Sequence, residues 1–169
     1  VAWAEAALGV PFGPGGAHAR YGTHNRLIGL AGGLYLEVIA IDPGAVPLDQ
    51  PRWFGLDRFD GPPRLANWIC RVDDLDAALA AFPEAGPAVA MQRGDLRWRI
   101  SVPEDGGSPE GGALPTLLRW DSPPPGGAMP DSGVALRRLE VLHPEAGEIS
   151  ARLEPVLSDA RVHFTPSAS

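Results

Sequence analysis

A chain of 169 residues can form one good-sized core or two small modules sharing an interface, and two modules are expected. A net charge of −7, with 14 basic residues that are all arginine and lie scattered along the chain, argues against nucleic-acid or anionic-membrane partners, which need clustered positive charge. At 44% hydrophobic and 21% charged residues, with no apolar run of membrane-spanning length, a cytoplasmic protein with a small-molecule or protein partner is expected. The abundance of Arg, Gly, Ala and Pro suits a GC-rich bacterial genome and carries no functional meaning. Cys70 is the one cysteine, so no intramolecular disulfide forms. Its apolar strand context predicts a small core residue in a reducing compartment.

Residues 1–8, VAWAEAAL, favour a helix that closes at Gly9, before Val10-Pro11 forbids continuation. No capping residue precedes it, so the chain is expected to open inside a βα unit whose strand lies upstream. Residues 11–23 are loop by composition. His18 within them is expected to face solvent, with ligand contact as the alternative. Residues 22–41, GTHNRLIGLAGGLYLEVIAI, predict a β-hairpin, with Gly32-Gly33 as a two-residue type I′ turn. That turn sets Ala31 opposite Leu34, Ile28 opposite Glu37, Arg26 opposite Ile39 and His24 opposite Ile41. Alternation then gives one face of Asn25, Leu27, Ala31, Leu34, Leu36, Val38 and Ala40, nearly all apolar. The other carries His24, Arg26, Ile28, Leu30, Tyr35, Glu37, Ile39 and Ile41, a polar and apolar mixture suited to a ligand cavity.

Five prolines in residues 42–63 exclude regular structure there, while Trp53, Phe54, Leu56 and Phe59 require the segment to fold back as a connector or a cavity lid. Residues 65–72 have strand composition. Asp73-Asp74-Leu75-Asp76 then caps a helix over 75–82, ended by Pro83. Residues 88–91, 95–102 and 114–121 predict three more strands, with Leu96, Trp98, Ile100 and Val102 sharing a core face. The insert EDGGSPEGG is expected to be a flexible linker. A further strand is predicted over 134–142, a helix from Pro144 to about Leu157, and a short strand over 161–165. The expected organisation is a first βαβββ-type module with its connector over 1–63, a second βαβββ module over 64–125, and an incomplete βα unit over 126–169. The last is expected to pair with the first module or with a second chain in a homodimer.

The runs GVPFGPGGAH, GTHNRLIGL and LYLEVIAIDP, continued by RWFGLD and LANWICRVDDLDAAL, resemble the glyoxalase-like branch of the vicinal oxygen chelate superfamily over most of the chain. The resemblance implies an α+β fold of tandem βαβββ modules, with curved mixed sheets enclosing a cleft and helices on the outer face. It also implies a divalent metal, Zn, Ni, Mn or Fe, held by His and Glu on strands, and lyase, isomerase or dioxygenase chemistry on a small oxygenated or anionic metabolite. The alternative is a binding or sequestering protein that has lost the metal.

Glu37 in YLE occupies the last-strand ligand position of the first module, which makes it the candidate metal ligand or catalytic carboxylate, with His24 assisting. The competing reading of Glu37 is a cross-strand ion pair with Arg26. The second module departs from the pattern: Trp68 stands where a histidine is expected, and Arg119 where the first module has Glu37. Asn25, Arg26, Tyr35, Trp68 and Arg119 are the candidate substrate-binding residues, with Arg119 as a bidentate anion clamp and Trp68 and Trp120 as flat walls. Core packing is the competing reading for the tryptophans.

Overall fold

The computed structural model describes residues 1–168. The hairpin is present, as β2 (Thr23–Leu30) and β3 (Leu34–Ile41), with β1 (Ala17–His18) on the far edge of β2, all antiparallel. Its turn has three residues instead of two. Gly32 and Gly33 both take positive φ, but Ala31 joins the loop, and its N–H donates to Val134 O at 2.9 Å instead of across the hairpin. Leu30 thus closes against Leu34, and the register differs by one residue from that of a type I′ turn: Leu27 faces Glu37, Asn25 faces Ile39 and Thr23 faces Ile41.

One residue of slip turns a whole strand over. The inner face now carries Thr23, Asn25 and Leu27 with Tyr35, Glu37 and Ile39. His24, Arg26, Ile28 and Leu30 share the outer face with Leu34, Leu36 and Val38. That outer face is covered by α1 (Ala2–Leu8), whose Ala4 packs with Phe12, Ile28, Leu36 and Val38 in a small core.

The second sheet follows βαβββ order. β4 (Ile69–Arg71) leads through α2 (Leu75–Ala81) to β5 (Ala88–Arg93), β6 (Leu96–Ser101) and β7 (Thr116–Trp120), in spatial order β4-β7-β6-β5. Only β4 and β7 are parallel, because the helix crosses over between β4 and the rest. Asp74 caps α2, its side chain accepting from Ala77 N at 3.0 Å. Asp74→Ala is expected to lower stability by about 1 kcal/mol, read as a drop in urea midpoint at unchanged m; an unmoved midpoint would show the cap to be idle.

Strand alternation divides the second sheet between two cores. Ile69, Val89, Met91, Trp98, Ile100, Leu118 and Trp120 look toward the hairpin and meet Tyr21, Trp53 and Leu56. Cys70, Val72 and Leu117 look the other way, toward Leu75, Ala78 and Phe82 of the helix side. Cys70 is the buried core residue expected of it, and burial pushes its thiol up to about 11. The proline-rich connector contributes a short 3-10 turn (Leu56–Arg58) and the stack Tyr21–Trp53–Phe54, with ring centroids 4.3 and 4.7 Å apart.

Among the described residues the two strands of the C-terminal unit pair with each other, while its leading segment meets the first module through Val134 O. β8 (Leu139–His143) and β9 (Val162–Pro166) are parallel neighbours joined through α3 (Ala146–Leu153). Ala146, Ile149 and Leu153, one helix face, are buried; Ile149 and Leu153 join the α2-side core together with Val141. The molecule is thus a mixed α+β structure without a closed barrel among the described residues. Among those residues no helix is long and apolar enough to cross a membrane.

Candidate functional site

The inner face of the hairpin and the cleft face of the second sheet leave a narrow space between them. Leu27, Trp53, Ile69, Trp98, Leu118 and Trp120 form apolar walls, and His18, Asn25, Tyr35, Glu37 and Arg93 supply the polar groups. The free space is about 40 Å³, enough for a few waters or one molecule of about four non-hydrogen atoms. A larger open groove of about 440 Å³ runs between Trp68 and β8, but its ionisable lining is Glu110, Glu140 and His143 at the rim, so the smaller cleft has the denser polar chemistry.

Asn25 is the hub. Its Oδ1 accepts from Gly16 N at 2.8 Å and from Arg93 Nη1 at 3.3 Å, and its Nδ2 donates to Glu37 Oε1 at 2.7 Å and to His18 Nε2 at 3.4 Å. All four hydrogen-bonding capacities of the amide are used, which settles which way it points. Two donors, Asn25 Nδ2 and Arg93 Nη1 at 3.2 Å, converge on His18 Nε2, so that nitrogen carries the lone pair. The imidazole proton therefore sits on Nδ1 and is donated to Thr23 Oγ1 at 3.1 Å, which also accepts from Trp53 Nε1 at 3.2 Å. Burial, then the Arg93 charge, holds His18 down to about 4, a neutral ring at physiological pH.

Glu37 experiences opposing influences. Burial raises its pKa and dominates, while the Asn25 hydrogen bond and the Arg93 charge oppose it. Its Oε1 is held by Asn25, and no protein donor reaches Oε2 among the described residues. Tyr35, two residues earlier on the same face, is pushed up to about 12 by burial and by the Glu37 charge, so its phenol stays a neutral donor.

Of the candidates read from sequence, Asn25, Tyr35 and Glu37 come together in this cleft. His24 lies exposed on the outer face, one position from where the two-residue turn would set it. Arg26 shares that outer face and ties down the preceding loop through Gly13 O at 2.8 Å, so it makes no ion pair with Glu37. Trp68 donates to Gly112 O at 3.1 Å and packs on Phe164, away from the cleft. Arg119 pairs with Asp121 at 3.6 Å and alternates with the cleft-facing Leu118 and Trp120, which puts it on the opposite face. His18, expected in solvent, is buried, and Arg93 joins the cleft although it is not among the sequence candidates. The signal for Arg93 was present in AVAMQR, where Val89, Met91 and Arg93 share one face, so an arginine continues an apolar stripe. His18 lies in a two-residue strand that follows a run of turn-forming residues, too short to show such periodicity.

A family model described as a glyoxalase-like domain matches residues 1–157. The chain belongs to that family. No curated protein and no solved structure matches it. For this glyoxalase-like protein the vicinal oxygen chelate superfamily implies a divalent metal, and the donor set tests the fit. Glu37 and His18 are the only His, Cys, Asp or Glu side chains lining the cleft, and no group of three or more such residues converges among the described residues. The His18 nitrogen that would have to coordinate already accepts from a guanidinium that carries a permanent positive charge. A divalent ion asks for several converging N or O ligands and an uncharged approach. The residues of this cleft do not fit one.

Proposed function

We propose that this glyoxalase-like protein binds a small oxygenated molecule in the hairpin cleft, with Glu37 Oε2 exchanging a proton or hydrogen bond with it, and without a divalent ion. The observation that carries the reading is the pairing of Asn25 with Glu37 Oε1, which leaves the second carboxyl oxygen unclaimed beneath tryptophan walls. A half-buried carboxyl whose pKa burial raises is a better proton donor and acceptor partner than a solvated one. The rest of the polar cluster holds Glu37 in place: Asn25 sets its orientation and is itself braced by Gly16 N–H, His18 and Arg93.

Hydroxyacetone, a neutral molecule with adjacent oxygens, is a suitable probe. In the metal-stripped protein it is expected to shift the indole N–H resonances of Trp98 and Trp120 saturably, and Glu37→Gln is expected to weaken that binding about tenfold. Elemental analysis of the purified chain completes the test. A stoichiometric divalent metal that disappears in Glu37→Gln and is needed for binding would overturn the reading, and would favour metal-dependent lyase, isomerase or dioxygenase chemistry instead.

A further inference from the structure

The cleft has little hydrogen-bonding capacity left once its internal bonds are counted, and what is left is mostly donors. Asn25 has none to spare, and His18 Nε2 is occupied. Arg93 Nη1 serves two neutral acceptors, Asn25 Oδ1 and His18 Nε2. Its Nε and Nη2 bond to nothing among the described residues, and no carboxylate there lies within ion-pair distance of it. The Tyr35 hydroxyl and Glu37 Oε2 are likewise unbonded. The unspent groups are thus a guanidinium edge, a phenol and one carboxyl oxygen.

Position strengthens the point. Arg93 ends β5, on the face shared with Val89 and Met91, and reaches out of the second sheet to side chains of the first. Gly16 makes room for it: a Cβ there would lie 2.7 Å from Arg93 Cδ and 2.9 Å from Nη1. A guanidinium held on neutral acceptors keeps its full charge available, unlike the surface arginines that pair with Asp57, Asp76 or Glu84.

We infer that the ligand of this cleft is a small carboxylate, its two oxygens on the Nε–Nη2 edge of Arg93 with the Tyr35 hydroxyl beside them, and its apolar end against Trp98 and Trp120. The inference rests on the small-molecule reading above and narrows it from oxygenated to anionic. The planar fork of a guanidinium matches the two oxygens of a carboxylate, which no other unspent group here does. The free space of about 40 Å³ matches a two-carbon carboxylate, which has four non-hydrogen atoms.

Acetate and acetamide have nearly the same shape and differ in charge. Each is titrated into the full chain while the Arg93 Nε–H and the Trp98 and Trp120 indole resonances are followed. Acetate is expected to bind at least tenfold more tightly than acetamide. Arg93→Gln is expected to bring acetate down to the acetamide level, and Arg93→Lys, which keeps the charge but loses the fork, to lie between them. Equal affinity for the two molecules, or an acetate affinity unmoved in both Arg93 variants, would overturn the inference while leaving the cleft as a binding site for neutral molecules. If acetate, acetamide and hydroxyacetone all leave these resonances unmoved, the small-molecule reading fails with it.

Discussion

Gly15→Ala is expected to destabilise the protein by about 3 kcal/mol or more, the cost of overpacking together with lost hydrogen bonds. A Cβ at residue 15 would lie 1.6 Å from Asn25 O, 2.4 Å from Asn25 C and 2.8 Å from Asn25 Oδ1. Its φ is not in the left-handed region, so the demand is for space alone. Residues 13–16 run along β2 like an added strand: Gly13 N donates to Leu27 O at 2.8 Å, Asn25 N to Gly16 O at 3.0 Å, and Gly16 N to Asn25 Oδ1 at 2.8 Å. A methyl group there must push the loop off the strand, breaking these bonds and loosening the amide that orients Glu37. Urea denaturation reads the loss, and the Gly16 amide resonance reads the released contact. A cost under about 1 kcal/mol would mean that the loop relaxes freely and that Asn25 is not held by it.

Acidification supplies the second large effect. His18 titrates at about 4 in the folded protein against an ordinary 6.5, so the unfolded chain binds the extra proton first. Its contribution is complete above pH 6.5, shrinks as pH falls, and is gone below about 4; it amounts to roughly 3 kcal/mol. Glu37 acts in the opposite sense. Its folded pKa is raised, so its contribution is present at low pH and is lost as pH rises through the folded value. The groups facing this pair are Asn25 and Arg93 on both, Thr23 and Trp53 on His18, and Tyr35 on Glu37. The two titrations partly cancel in the native sequence, and single substitutions separate them. In Glu37→Gln the fall in unfolding free energy between pH 6.5 and 4 is expected to deepen, and in His18→Gln to vanish or reverse. Asp159, held down to about 2 by Arg161, loses its contribution only at still lower pH. Parallel pH profiles for wild type and both variants would show that His18 and Glu37 are solvated and not buried as described.

Much of this architecture is legible from local pattern. The hairpin strands, the strand-helix-strand order of residues 65–120 and the Asp74 cap all follow from period-2 alternation, turn residues and capping chemistry. The hairpin register is not, because it depends on one more residue in the turn, and that residue is claimed by the Val134 carbonyl from far along the chain. His24 and Asn25 exchange faces on that account alone. Arg119 is misplaced by setting it at the Glu37 position: laid residue for residue over LYLE, LLRW puts Trp120 there and Arg119 level with the outward Leu36, so Leu118 and Trp120 take the cleft positions. The contact of Arg93 with His18 and Asn25 joins two sheets, and no local window contains both sides of it. Alternation tells which face a side chain is on, but not what the opposite sheet has placed there.

The side chain of Arg93 spans the gap between the two sheets, and its hydrogen bonds to His18 and Asn25 tie the cleft's charge to the distance between them. A hinge opening of even a couple of ångströms would sever both contacts at once, returning the guanidinium to water and freeing the imidazole lone pair. The placement of the cleft's charge and the closure of the two halves are therefore one variable in this molecule.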